Sequence, residues 1–314
     1  MKTTIPTVLL VSLAACNTPG GADQVHTISA PCVPDSVLAW LTPDTGHIIQ
    51  SISDSIIMDS GAVTSFLDLS RGDLHVQGFH VLPEESGERM PLALYQHWGE
   101  GDKTEFWEEA KELARQGWQC VLLDATWFDE SFPNRSYVRN GWNMVRDGVL
   151  DWRTVLDYLE QDETFAIDTT RIVFVGHSYG AQIAGILAGV EPRIKRFVIM
   201  AGAPSTAEAT RTSTVADIVH WRDSMPQEVD NYVTHMTPLD AEKFVGCGSA
   251  PILFQWARHD EFDIDSLDAV RYQQAAAGHA SQLLFYEATH SLDVRDARKD
   301  RIDWIMGSET SHPQ

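Results

Sequence analysis

The chain has 314 residues, enough to bury the core of one large α/β domain. Its hydrophobic fraction of 43% and charged fraction of 22% exclude a disordered or fibrous chain. With 45 acidic against 23 basic side chains the net charge is −22, and a surface of that sign repels phosphate backbones, which argues against nucleic acid as a partner.

Met1-Lys2 starts the chain with positive charge, Ile5 to Ala15 form a short apolar run, and Leu13-Ala-Ala-Cys16 has the character of a cleavage region. The run is too short to span a bilayer, so residues 1–15 read as a signal peptide and not an anchor helix. A cysteine directly after Leu-Ala-Ala resembles the bacterial lipoprotein box. That resemblance implies an exported protein whose first mature residue, Cys16, carries lipid. Asn17 differs from the aspartate that tends to retain such proteins at the inner membrane, so an outer-membrane or periplasm-facing location is expected. Residues 16–45 then serve as tether and N-terminal extension, polar and rich in Gly and Pro up to about residue 30. If Cys16 is acylated, Cys32, Cys120 and Cys247 remain, and an odd number allows one disulfide at most. Cys120 falls in an apolar run as a small core residue, while a Cys32–Cys247 bridge is compatible with export but not demonstrated by sequence.

From residue 46 to 314 the chain reads as one catalytic-size domain. Strand-like pieces span 55–58, 63–69 and 74–82 without helices between them, which predicts an antiparallel edge. Then strands at 91–97, 119–124, 172–175, 196–200, 252–257 and 282–286 alternate with helices at 103–116, 142–160, 181–189, 266–277 and a last one to about 305. Strands alternating with helices indicate β-α-β units, hence a mostly parallel sheet covered on both faces. The connections 125–141 and 203–249 are too long for this alternation and read as walls of a cleft, the second as a lid-like insertion.

At 172–175 a buried-strand run, Ile-Val-Phe-Val, meets a helix of small residues through Gly176-His-Ser-Tyr-Gly180. A strand that turns abruptly into a helix strains its corner residue and presents that side chain outward; glycines two before and two after remove the Cβ atoms that would collide. Ser178 is thereby a candidate nucleophile at the positive end of a helix. A serine hydroxyl needs a base, and the base needs an acid to fix its tautomer. Asp260, just past the 252–257 strand, is the expected acid, in competition with Asp263 and Asp265. Among twelve histidines, His290 is the expected base because it follows the last strand and precedes the closing helix. The amide of Tyr179 is the first expected oxyanion donor. The second is sought in His97-Trp-Gly-Glu-Gly-Asp-Lys103, at Gly99, with Trp98 and Glu100 as neighbours. Trp98, Trp127, Phe128 and Trp142 are candidates for an apolar acyl or aryl pocket. No His-Glu-x-x-His or comparable spacing of metal ligands occurs, so no metal and no cofactor are expected.

The Gly-His-Ser-Tyr-Gly corner, the 97–103 loop, the strand-end Asp260 and the late His290 together resemble the α/β-hydrolase family, in its dienelactone-hydrolase and prolyl-oligopeptidase-like esterase branch, over roughly residues 55–308. The resemblance implies an eight-stranded sheet and cofactor-free hydrolysis of a small-molecule ester through an acyl-enzyme. Trp98 departs from that branch, which usually has glycine after the histidine. Two other readings stay open: a serine peptidase of the prolyl-oligopeptidase type, and a non-catalytic binding protein on the same fold.

Overall fold

The computed structural model describes residues 32–50, 56–85, 89–126 and 137–307, with only the backbone of 137–140. The signal peptide, Cys16, Trp127 and Phe128 lie outside the described residues. Among the described residues ten strands form one sheet: β1 (Ile49–Gln50), β2 (Ile56–Asp59), β3 (Ala62–Arg71), β4 (Leu74–Pro83), β5 (Met90–Gln96), β6 (Gln119–Leu123), β7 (Ile167–His177), β8 (Arg196–Met200), β9 (Ile252–Ala257) and β10 (Ser281–Tyr286). Their spatial order is β1-β3-β4-β6-β5-β7-β8-β9-β10, with β2 also paired to β3. The eight strands from β3 to β10 make the expected sheet, and the short β1 and β2 extend it at the edge of β3. β3 and β4 are antiparallel to each other, β4 is antiparallel to β6, and every pair from β6 to β10 is parallel.

Burial explains the two kinds of strand. Every residue of β5, β6 and β9 is buried, as a strand covered on both faces requires, whereas β3 alternates between buried and partly exposed positions. Along β5, Leu92 and Leu94 face one core and Ala93 and Tyr95 the other. The helices, in chain order, are α1 (Asp35–Trp40), α2 (Trp107–Ala114), α3 (Tyr137–Gln161), α4 (Tyr179–Val190), α5 (Thr206–Thr212), α6 (Ala216–Ser224), α7 (Pro226–Met236), α8 (Ser266–Ala275) and α9 (Arg295–Met306). Residues of α3, α4 and α8 fill the first core around Trp152, Phe174 and Trp256, and residues of α2 and α9 fill the second around Tyr95 and Val175.

Three features differ from the sequence reading or extend it. The 203–249 insertion is helical, supplying α5, α6 and α7. Within the expected extension, Val33 and Leu41 join the first core, and Cys32 is bonded to Cys247, closing 215 residues. Cys120 is a free, buried thiol. The second core also contains a buried ion pair: the Arg301 guanidinium donates to both oxygens of Glu109, one at 2.6 Å, while Tyr95 Oη donates to Glu109 and Arg301 donates to Gln255. It fastens α9 to α2, β5 and β9.

His80, on β4, shares a 3.2 Å hydrogen bond with Gln119 and lies against the Phe165 ring. Burial pushes its pKa down to about 4. An unfolded histidine titrates near 6.5, so on acidification the unfolded chain takes up the proton first. Stability is then full above about pH 6.5 and falls by about 3 kcal/mol as pH drops towards 4. Urea unfolding between pH 7 and 4.5 should be shallower in pH dependence by about one proton in His80→Gln.

Candidate active site

β7 runs into α4 with no connecting loop, and Ser178 occupies the corner at φ 54°, ψ −104°. That conformation is costly for any residue with a Cβ. It arises because three backbone segments approach closely. A Cβ on Gly176 would stand 2.0 Å from the Gly180 carbonyl oxygen, and one on Gly180 would stand 2.3 Å from the carbonyl oxygen of Gln96 at the end of β5. The Ser178 amide donates to Met200 O at 2.8 Å, so β8 also holds the corner.

β9 and β10 are parallel and in register to their last residues, Ala257 and Tyr286, so their loops leave the sheet side by side. His290 Nδ1 lies 2.7 Å from Asp260 Oδ2, with both side chains almost completely buried. Against a carboxylate, Nδ1 is the donor and Nε2 is left as the basic nitrogen. The Asp260 carboxylate also accepts from the Phe262 amide at 2.8 Å. The His290 amide donates to Glu261 Oε2 at 2.9 Å, and this bond holds the Glu261 carboxyl below its ordinary range. The rival acids are occupied elsewhere: Asp265 accepts from the first amides of α8, and Asp263 accepts from Ser213 and Thr214. His259 is exposed and pairs with Glu287.

His177 joins this loop to the corner. Its Nε2 donates to the His290 carbonyl at 2.8 Å and its Nδ1 faces Glu105 Oε1 at 2.6 Å. The two imidazole rings are 5.1 Å apart. Thus Asp260 and His290 are brought together and tied to the residue next to Ser178. Among the described residues, Ser178 makes no hydrogen bond to His290.

The loop after β5 is pinned by His97, which donates through Nδ1 to Trp98 O and accepts the Ala125 amide at Nε2; burial pushes its pKa down. The Trp98 amide is taken by Glu105 Oε2 at 2.9 Å, so it is not aimed at a reacting oxygen. Gly99 and Tyr179 both border a cleft of about 600 Å³ that has Ser178 in its wall. The aromatic residues lining this cleft are Tyr179, Trp221, Tyr232 and Phe262, of which Trp221 and Tyr232 are supplied by the 203–249 insertion. Trp98 and Trp142 do not line it. The Trp98 ring lies over His177 and His290, and Trp142 stacks on His235. Of the site residues, Glu105, Glu261 and the hydrogen-bonding role of His177 were not evident in the sequence. Among the described residues no group of His, Cys, Asp or Glu has the clustering of a metal site.

Residues 94–248 match the family model described as alpha/beta hydrolase fold. An acetyl xylan esterase from Paenibacillus sp. R4 is similar at a TM-score of 0.70 and 15% identity, over 87% of this chain and 92% of that one. Acetyl xylan esterase 1 from Thermoanaerobacterium sp. is similar at 0.68 and 12% identity, over 85% and 89%. An acylaminoacyl peptidase from Pyrococcus horikoshii is similar at 0.63 and 16% identity, over 81% of this chain but 44% of the peptidase. No curated protein matches the chain in sequence. At these identities the likeness is one of fold: the chain has the α/β-hydrolase fold.

The strain at position 178 is testable. Glycine tolerates the corner conformation and alanine does not, so Ser178→Gly should be more stable than Ser178→Ala by about 1 kcal/mol, the reverse of the usual order. Denaturant unfolding of the two variants measures the difference.

Proposed function

We propose that this protein is a serine carboxylesterase acting on small-molecule esters. The observation that carries the reading is the buried Asp260–His290 pair, bonded through His177 to the corner that presents Ser178 to an apolar cleft. Ser178 Oγ attacks the ester carbonyl as His290 Nε2 accepts its proton, and Asp260 stabilises the resulting imidazolium. The tetrahedral oxyanion is held by the amides of Tyr179 and Gly99. His290 then gives the proton to the departing alkoxide, leaving an acyl-enzyme. Water, deprotonated by His290, attacks that ester and releases the acid and free Ser178. Catalytic hydrogen bonds of ligand-free sites are often loose and tighten when substrate is bound, in keeping with the open contact between Ser178 and His290.

The fold neighbours named as acetyl xylan esterases support ester chemistry with a short acyl group. The carboxylate side chains among the described lining residues of the cleft are Glu100 and Asp217, with no Lys, Arg or His among those residues, within a protein of net charge −22. A neutral or cationic alcohol portion therefore suits the cleft better than an anionic one.

A fluorophosphonate probe should label the protein and fail to label Ser178→Ala, whose hydrolysis of phenyl acetate should fall by about 10⁴-fold or more. Retained turnover in Ser178→Ala would sink the reading, and hydrolysis of a peptide amide at a rate comparable to the ester would turn it towards a peptidase. Within the ester panel, 3-carboxyphenyl acetate should have a kcat/KM at least about fivefold below phenyl acetate at low salt, a gap that narrows as salt is added.

We further propose export and anchoring through a lipid on Cys16. The Cys32–Cys247 disulfide supports export, since such bonds persist in oxidising compartments. Cys16→Ala should move the protein from the membrane fraction to the soluble one; unchanged fractionation would remove the anchor.

A further inference from the structure

Glu105 sits two residues before α2, and its two carboxylate oxygens face the loop after β5 and the last residue of β7. Oε2 accepts the Trp98 amide at 2.9 Å, and Oε1 meets His177 Nδ1 at 2.6 Å. His177 in turn donates from Nε2 to the His290 carbonyl at 2.8 Å. One side chain thus connects the loop after β5, the residue beside the nucleophile and the loop that carries the base. The His290 carbonyl can only accept, so Nε2 carries the proton of that bond, and the connection runs from the Glu105 carboxyl through the His177 ring to the His290 main chain. The ring itself is buried, and Trp98 lies nearly parallel to it.

We infer that Glu105 is a positioning residue of the hydrolase site, acting through His177 to set where His290 stands relative to Ser178. The inference rests on the esterase reading above. Three consequences follow from the distances. The bond to Trp98 removes that amide from the oxyanion pocket and turns the chain so that Gly99 borders the cleft. The bond to His177 fixes the ring that supports the His290 main chain from one side. From the other side Glu261 takes the His290 amide, so the base is gripped by its backbone at both its N–H and its C=O while Asp260 grips its ring. Rate in such a site depends on sub-ångström placement of base and nucleophile, and loosening one grip costs turnover before it costs substrate binding.

Two variants separate positioning from charge. In Glu105→Gln the carboxamide oxygen still accepts from Trp98, and its NH₂ donates to His177 Nδ1, while Nε2–H still donates to His290. Glu105→Ala loses both bonds. The rate of fluorophosphonate labelling and kcat on phenyl acetate should fall about 10- to 100-fold in Glu105→Ala, with KM within about threefold. Glu105→Gln should stay within about threefold of the unaltered protein in both. Labelling at the original rate in Glu105→Ala would overturn the inference, and so would equal losses in the two variants. Should Glu105→Ala not fold, His177→Asn removes the same support without touching the loop before α2. A folded His177→Asn with unchanged kcat would likewise overturn it. A protein that is not labelled in its original form would overturn the esterase reading itself, and the inference with it.

Discussion

The site depends on a steric constraint at the β7–α4 corner, where three stretches of backbone come closer than side chains permit. Gly176, Gly180 and the carbonyl of Gln96 meet there, and the chain turns through Ser178 in a conformation that costs of the order of 1–3 kcal/mol. Such a conformation persists only if its surroundings hold it. Here every residue of α4 except Gly189 is buried, including Ile183, Ile186 and Leu187, and the strands on both sides of β7 are buried in full or nearly so. The hydrophobic energy of that packing is far larger than the strain it sustains. The corner is therefore the point where core stability holds a half-buried hydroxyl at the wall of the cleft.

Parallel strands make the rest of the assembly possible. β5, β7, β9 and β10 run in one direction, so the segments that follow them emerge on one end of the sheet. Each delivers one component: the loop with Gly99, the corner with Ser178, the turn with Asp260 and the turn with His290. Residues more than 100 positions apart thus become neighbours with short connections. The carboxylates gathered around them are engaged and not idle: Glu105, Asp260 and Glu261 each accept hydrogen bonds from this cluster. Unpaired buried acids so close together would repel one another and cost desolvation.

What was legible in the sequence follows from which signals are local. Buried runs such as Leu92 to Tyr95 and Ile252 to Ala257 announce strands by composition, and the Gly-x-Ser-x-Gly corner announces a backbone shape by the absence of Cβ atoms. Asp260 and His290 were singled out by their place after particular strands, and the two side chains are hydrogen-bonded to each other. Glu105 and Glu261 carry no such mark. Each is one acid among 45 on a very acidic chain, and its role exists only when separate loops meet. The tryptophans mislead for a related reason: an indole serves equally as a cleft wall, as Trp221 does, or as packing over polar rings, as Trp98 does. In the same way Val33 and Leu41 are too sparse to signal a core segment, yet both are buried.

The insertion that walls the cleft is fastened to the rest of the fold at several places. Asp263, three residues past Asp260, accepts from the Ser213 hydroxyl and from the amide and hydroxyl of Thr214, and the Thr214 amide leads in holding its carboxyl below the ordinary range. Arg271 on α8 bridges Glu208 of α5 and Glu242 beyond α7. Cys247, near the far end of the insertion, is bonded to Cys32. These ties set the walls of the cleft and the Asp260 turn in one frame, so the aromatic surface of Trp221 and Tyr232 keeps a defined position relative to Ser178. The shape and charge of a cleft held this way are already in place, because moving its wall would first require breaking the bonds to Asp263, on the turn that also carries Asp260.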